Sequence, residues 1–118
     1  MTVLIACLGE GKGTWGAVFK LAQQDCWEKV YFVGPRFAQE KVKLPPNSSF
    51  IVVDNELSMK DAVGILCKNL DGKVFGEVAV NLFSGNGFLH TAVIAGLLKL
   101  GAGIRLVFWS DKDLVEEA

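Results

Sequence analysis

Hydrophobic positions in this chain fall into short unbroken runs, separated by stretches where they recur with helical spacing. The first run, Thr2–Leu8, carries Val3-Leu4-Ile5-Ala6-Cys7-Leu8 without one polar alternation. A strand with that pattern is buried on both faces, which marks a central strand of a parallel sheet. Val30–Val33, Phe50–Val53, Val78–Leu82 and Ile104–Trp109 read the same way. Between them the spacing predicts helices. Thr14 is placed to N-cap one that runs to about Gln24, with Trp15, Phe19 and Leu21–Ala22 as its core stripe. Phe37–Val42 suits a short helix, and Pro45-Pro46-Asn47-Ser48-Ser49 then forces irregular chain. Ser58 with Asp61 forms a capping-box signature ahead of Met59, Ala62, Val63, Leu66 and Leu70, and Gly72 closes that helix. Phe88–Leu100 is an almost wholly apolar helix ended by Gly101. The polar, acidic stretch 110–118 reads as an exit from the fold, a tail or linker.

Strand and helix alternate throughout, so the expected fold class is α/β: a Rossmann-like three-layer sandwich with a mainly parallel five-stranded sheet. The first and fourth strands are the most apolar and belong side by side in the middle, giving the order 3-2-1-4-5 with right-handed crossovers. The 118 residues suit a single domain, with no internal repeat.

Composition narrows the function classes. The chain is 51% hydrophobic, with mean hydropathy +0.35, yet no apolar run reaches the roughly 18 residues needed to cross a bilayer. No basic-then-apolar leader with a small-residue cleavage site is present, so a cytoplasmic protein without membrane partners is expected. Cys7, Cys26 and Cys67 form no CxxC pair and read as reduced packing residues. With one histidine and no paired cysteines, the usual zinc ligand sets are missing, and no metal or resident cofactor is expected. A net charge of −1 argues against a broad nucleic-acid face but leaves room for a small anion held by local donors. The apolar excess favours a hidden surface, most simply a homodimer interface.

Candidate chemistry concentrates in two glycine-rich turns, each between a buried strand and a helix. Gly9-Glu10-Gly11-Lys12-Gly13-Thr14 follows the first strand, and Ser84-Gly85-Asn86-Gly87 follows the fourth. Helix N-termini carry unpaired N–H donors and the positive end of the dipole, so both turns suit an anion. With the strand order above, both face one crevice at the topological switch point. Gly11-Lys12-Gly13-Thr14-Trp15-Gly16 matches G-x-G-x-x-G in the right context, but the end of the second strand offers Gly34, Pro35 and Arg36 where a dinucleotide site wants an acid. Arg36 would suit a 2′-phosphate, which leaves an NADP-binding module open. An ATP-type P-loop is excluded: Lys12 precedes Gly13 rather than Ser or Thr, and Ala6 stands where the leading glycine belongs. A tight turn with no ligand is the structural alternative.

Asn81-Leu82-Phe83-Ser84-Gly85-Asn86-Gly87 resembles the signature turn of the CARF family, the CRISPR-associated Rossmann-fold sensors of antiviral defence. That turn has the form Asn-Leu-Thr-Gly-Gly-Thr-Lys. Asn81, Leu82 and Gly85 match it, Ser84 and Asn86 are similar, and Phe83 differs. Leu4-Ile5-Ala6-Cys7-Leu8-Gly9 is also similar to the family's first strand. The resemblance implies a homodimer whose joined crevices hold a cyclic oligoadenylate. Ligand-binding residues would be Gly9, Gly11, Lys12, Gly13, Thr14, Arg36, Phe83, Ser84, Gly85, Asn86 and Gly87, with Phe83 or Trp15 against an adenine face. The family's turn often ends in a lysine or arginine that assists ring cleavage; here Gly87 stands there, so binding without efficient cleavage is expected unless Lys12 or His90 substitutes.

No catalytic residue follows from the sequence. His90, the sole histidine, stands one turn into an apolar helix, where packing competes with a role as a base. Asn81 either satisfies backbone groups at its strand end or touches ligand. The leading expectation is a nucleotide-sensing module; a ring-nuclease-like or other small nucleotide- or phosphate-handling enzyme, an NADP module and a ligand-free assembly protein remain alternatives. CARF domains usually control an attached winged-helix or ribonuclease effector. The 118 residues hold neither, so the chain is either a fragment or acts alone.

Overall fold

The computed structural model describes residues 2–118. In chain order it contains β1 (Thr2–Cys7), a 3-10 turn (Lys12–Thr14), α1 (Trp15–Ala22), β2 (Trp27–Gly34), α2 (Arg36–Lys41), β3 (Ser48–Val52), α3 (Met59–Leu70), β4 (Glu77–Asn81), α4 (Gly87–Lys99), β5 (Gly103–Ser110) and β6 (Leu114–Glu117). The strands form one sheet in the order β3-β2-β1-β4-β5-β6. The first five run parallel, as the unbroken apolar runs require, and the 3-2-1-4-5 order holds.

The sheet separates two apolar layers. Along β1, Ile5 and Cys7 join α3 and α4 through Ala62, Leu66, Leu89 and Val93. Leu4, Ala6 and Leu8 join α1 and α2 through Trp15, Val18, Leu21 and Ala38. Both faces of β1 are therefore covered, and Leu4 through Leu8 are wholly buried. On α1, Val18 takes a core place that the stripe predicted from sequence omits, while Phe19 is only half-buried and tilts against Phe32. Ser58 caps α3 as the sequence indicates, its hydroxyl accepting from the Asp61 amide at 3.1 Å.

Two expectations change. The stretch 110–118 does not leave the fold: β5 runs to Ser110, the chain turns, and Leu114–Glu117 returns antiparallel with Trp109 opposite Val115. Val115 packs into the α1 layer, and Arg105 Nη1 pairs with Glu117 Oε1 at 3.3 Å along this edge. Cys26 is not a packing residue, for it is exposed at the turn before β2; Cys7 is buried, and Cys67 is half-buried between α3 and α4. No helix among the described residues is long and apolar enough to cross a membrane.

Candidate functional site

The order β2-β1-β4-β5 places the chain's change of direction between β1 and β4, whose carboxyl ends carry the two glycine-rich turns. Those turns touch. The Gly9 amide donates to Ser84 Oγ at 2.9 Å in a buried contact. A Cβ on Gly9 would stand 2.6 Å from the Gly85 Cα, so the missing side chain of Gly9 is what lets the backbones meet. Gly85 itself has φ +105°, a conformation that side chains rarely adopt.

Around this contact the hydroxyls form a closed set. Thr14 Oγ1 lies 2.6 Å from Ser84 Oγ and 3.0 Å from the Gly11 carbonyl. A carbonyl only accepts, so Thr14 gives its one proton to Gly11 and Ser84 gives its own to Thr14. Ser84 is 1% exposed; its hydroxyl is consumed in joining the turns rather than turned to solvent. Thr14 holds the N-cap position of α1, as expected from the sequence, but its side chain makes no cap bond there. A 3-10 turn intervenes, and the threonine reaches across to the other loop instead.

The second turn ends in a capped helix. Asn86 Oδ1 accepts from the Leu89 amide at 2.9 Å, and Asn86 Nδ2 donates to Asn55 Oδ1 at 3.3 Å. Asparagine is among the best residues for that capping geometry. The cap takes one first-turn donor and leaves the amides of Gly87 and Phe88 without an intrahelical partner.

Between the turns lies a cleft of about 210 Å³ lined by Gly9, Glu10, Pro35, Asn55, Gly85, Asn86 and Leu89. Of the residues singled out from sequence, it gathers Gly9, Gly85 and Asn86. Gly11, Lys12 and Gly13 are exposed on the outer limb of the first turn, and Gly87 begins α4 beside the cleft. Lys12 Nζ lies 5.6 Å from the centroid of the Phe37 ring. Arg36 starts α2, and its amide donates to Asp54 Oδ1 at 2.9 Å. Phe83, 53% exposed, borders a separate recess with Ala17, Asn81, Phe108 and Trp109. Trp15 is no base platform: it is buried, with its indole N–H on the Gly9 carbonyl at 2.9 Å.

Sequence reasoning missed Asn55 and gave Glu10 no role. Asn55 carried one usable signal, its place in the loop that follows the carboxyl end of β3, where crevices form. Asn81 is structural: Nδ2 donates to the Val107 carbonyl at 2.8 Å and Oδ1 accepts from the Phe83 amide at 3.3 Å. His90 Nε2 lies 2.8 Å from the Ser84 carbonyl. The carbonyl can only accept, so Nε2 is the donor in this contact. The ring stands behind the second turn, at the head of an apolar groove along α4 with Thr91, Ile94, Ala95 and Leu98.

Set against models of known protein families and against curated proteins, the chain matches none. Fold and crevice together define a Rossmann-like α/β domain with paired glycine-rich turns at its switch point.

Proposed function

We propose that this domain is a nucleotide-sensing module that takes a cyclic oligoadenylate at the β1/β4 crevice, shared between the two copies of a homodimer. The observation that carries the reading is the join of Gly9 to Ser84 and Gly85. It sets the turn ahead of α1 and the turn ahead of α4 around a single cleft. The likeness of Asn81–Gly87 to the CARF turn supports the ligand class.

Two further features favour a ligand shared across a dimer. At about 210 Å³ the cleft is smaller than the ~300–1,000 Å³ that usually encloses a whole small molecule. The stripe of Thr91, Ile94, Ala95 and Leu98 leaves apolar surface uncovered on a helix that is apolar on its other side too, which suits a second copy.

Thermal-shift titration with cyclic tetra-adenylate, NADPH and inorganic phosphate tests the proposal, because a ligand that binds only the folded state raises the melting temperature. A shift with cyclic tetra-adenylate, and intact ring recovered after incubation, supports a sensor. Linear adenylate products would move the assignment to a ring-nuclease-like enzyme. A shift with NADPH alone, or with none of the three, rejects the cyclic-oligoadenylate reading.

A further inference from the structure

We infer that Phe37 is the base-stacking platform of this crevice, with Lys12 and Lys41 supplying charge to the same nucleotide. This rests on the crevice being a nucleotide site and identifies where the base goes.

Four aromatic side chains stand near the two turns, and three of them are unsuited. Phe88, in the first turn of α4, is half-buried against the α3–α4 layer. Trp15 is buried and bonded to the Gly9 carbonyl. Phe83 belongs to the recess of about 100 Å³ on the β5 side, lined by none of the glycines that line the cleft. Phe37 is 38% exposed and sits on the opposite flank of the first turn. Its ring lies 6.3 Å from the Trp15 ring, tilted by 48°. Phe37 stands outside the cleft's lining and is linked to it indirectly, through Trp15 to Gly9 and along the chain to Pro35 in the cleft wall.

The charge around this ring is unbalanced. Lys12 Nζ and Lys41 Nζ lie 5.6 and 5.9 Å from its centroid. Among the described residues neither lysine, nor neighbouring Arg36, forms an ion pair; the pair that does form is Arg105–Glu117 at the far edge of the sheet. Ammonium groups held by an aromatic quadrupole and not by a carboxylate keep their charge available to an incoming anion. Glu10, in the cleft itself, selects further. A carboxylate there accepts hydrogen bonds from sugar hydroxyls. A nucleotide meets all of these groups: phosphate at the bare amides of the second turn, ribose at Glu10, base on Phe37 beside the two lysines.

The test compares Phe37→Leu, Phe37→Trp and Phe83→Leu in binding cyclic tetra-adenylate, adenosine 5′-monophosphate and ribose 5-phosphate. Leucine keeps apolar cover over Trp15 but removes the π-face. Phe37→Leu is expected to lose about tenfold or more in affinity for the two adenine ligands with unchanged affinity for ribose 5-phosphate, and Phe37→Trp to retain wild-type binding. Lys12→Met and Lys41→Met should each weaken adenine-ligand binding and flatten its salt dependence. Wild-type affinity in Phe37→Leu, or the loss appearing in Phe83→Leu instead, overturns the assignment of Phe37 and leaves the crevice reading intact. Failure of the wild-type protein to bind any of the three ligands overturns the crevice reading and this inference together.

Discussion

The hydroxyl of Ser84 accepts the amide of Gly9, a residue 75 positions earlier, at 2.9 Å. This contact fastens the loop after β1 to the loop after β4. Replacing Ser84 with alanine strands a buried N–H and breaks the link to Thr14. A buried donor left unsatisfied costs about 1–3 kcal/mol, so urea unfolding should show that loss. Thr14→Val should cost less, because the Gly9 amide keeps its acceptor.

Asn81 fastens the other side of the crevice. The β4–β5 ladder runs from Glu77 opposite Gly103 to Val80 opposite Leu106. One residue on, the Asn81 side chain reaches the Val107 carbonyl and holds the strands together. Asn81→Asp should be more destabilising than Asn81→Ala at neutral pH, since it buries a carboxylate facing a carbonyl. Burial and that carbonyl would raise the aspartate's folded-state pKa. Its protonated form can donate to Val107, so the stability of Asn81→Asp should rise as pH falls and be lost as pH rises. A pH-independent gap between the two variants would contradict this geometry.

Cys7 gives a pH dependence of its own. Burial pushes its thiol from the ordinary 9.0 up to about 12. The raised folded-state pKa means its contribution is complete below pH 9.0 and is lost as pH rises towards 12. By pH 10 the unfolded chain gains about 1.4 kcal/mol from this group. Urea titrations of the parent and Cys7→Ala should diverge in slope over that alkaline range. Exposed Cys26 should react with a thiol reagent in the folded protein while Cys7 reacts only on unfolding.

Gly87→Lys tests the correspondence with the CARF turn. The position is exposed, and a Cβ there meets nothing within 4 Å. A cation at the start of α4 opposes the dipole, which should cost about 0.3–1 kcal/mol of stability. It should also tighten cyclic tetra-adenylate binding by about fivefold at low salt or introduce slow ring cleavage. Unchanged affinity together with intact ring would break the correspondence.

The fold was legible because burial leaves a direct mark on composition: a strand covered on both faces, such as Val3–Leu8, cannot alternate polar with apolar residues. β6 left no such mark. Leu114–Glu117 is an edge strand with Val115 as its one inward anchor, and its acidic neighbours face water. The hydrogen bonds to β5 that define it come from backbone, which every residue possesses.

Sequence alone determined the alternation of strands and helices, the central place of β1 and β4, and hence the convergence of two glycine-rich turns. Only the tertiary structure decided what each polar residue in those turns does. Ser84, Thr14 and Asn86 are chemically able to bind a ligand, to cap a helix or to join loops, and residue type cannot rank those uses. The nearest partner ranks them: Gly9 claims Ser84, Ser84 claims Thr14, and the Leu89 amide claims Asn86. These partners are distant in sequence or fixed by a turn's φ and ψ, so the choice is made by packing.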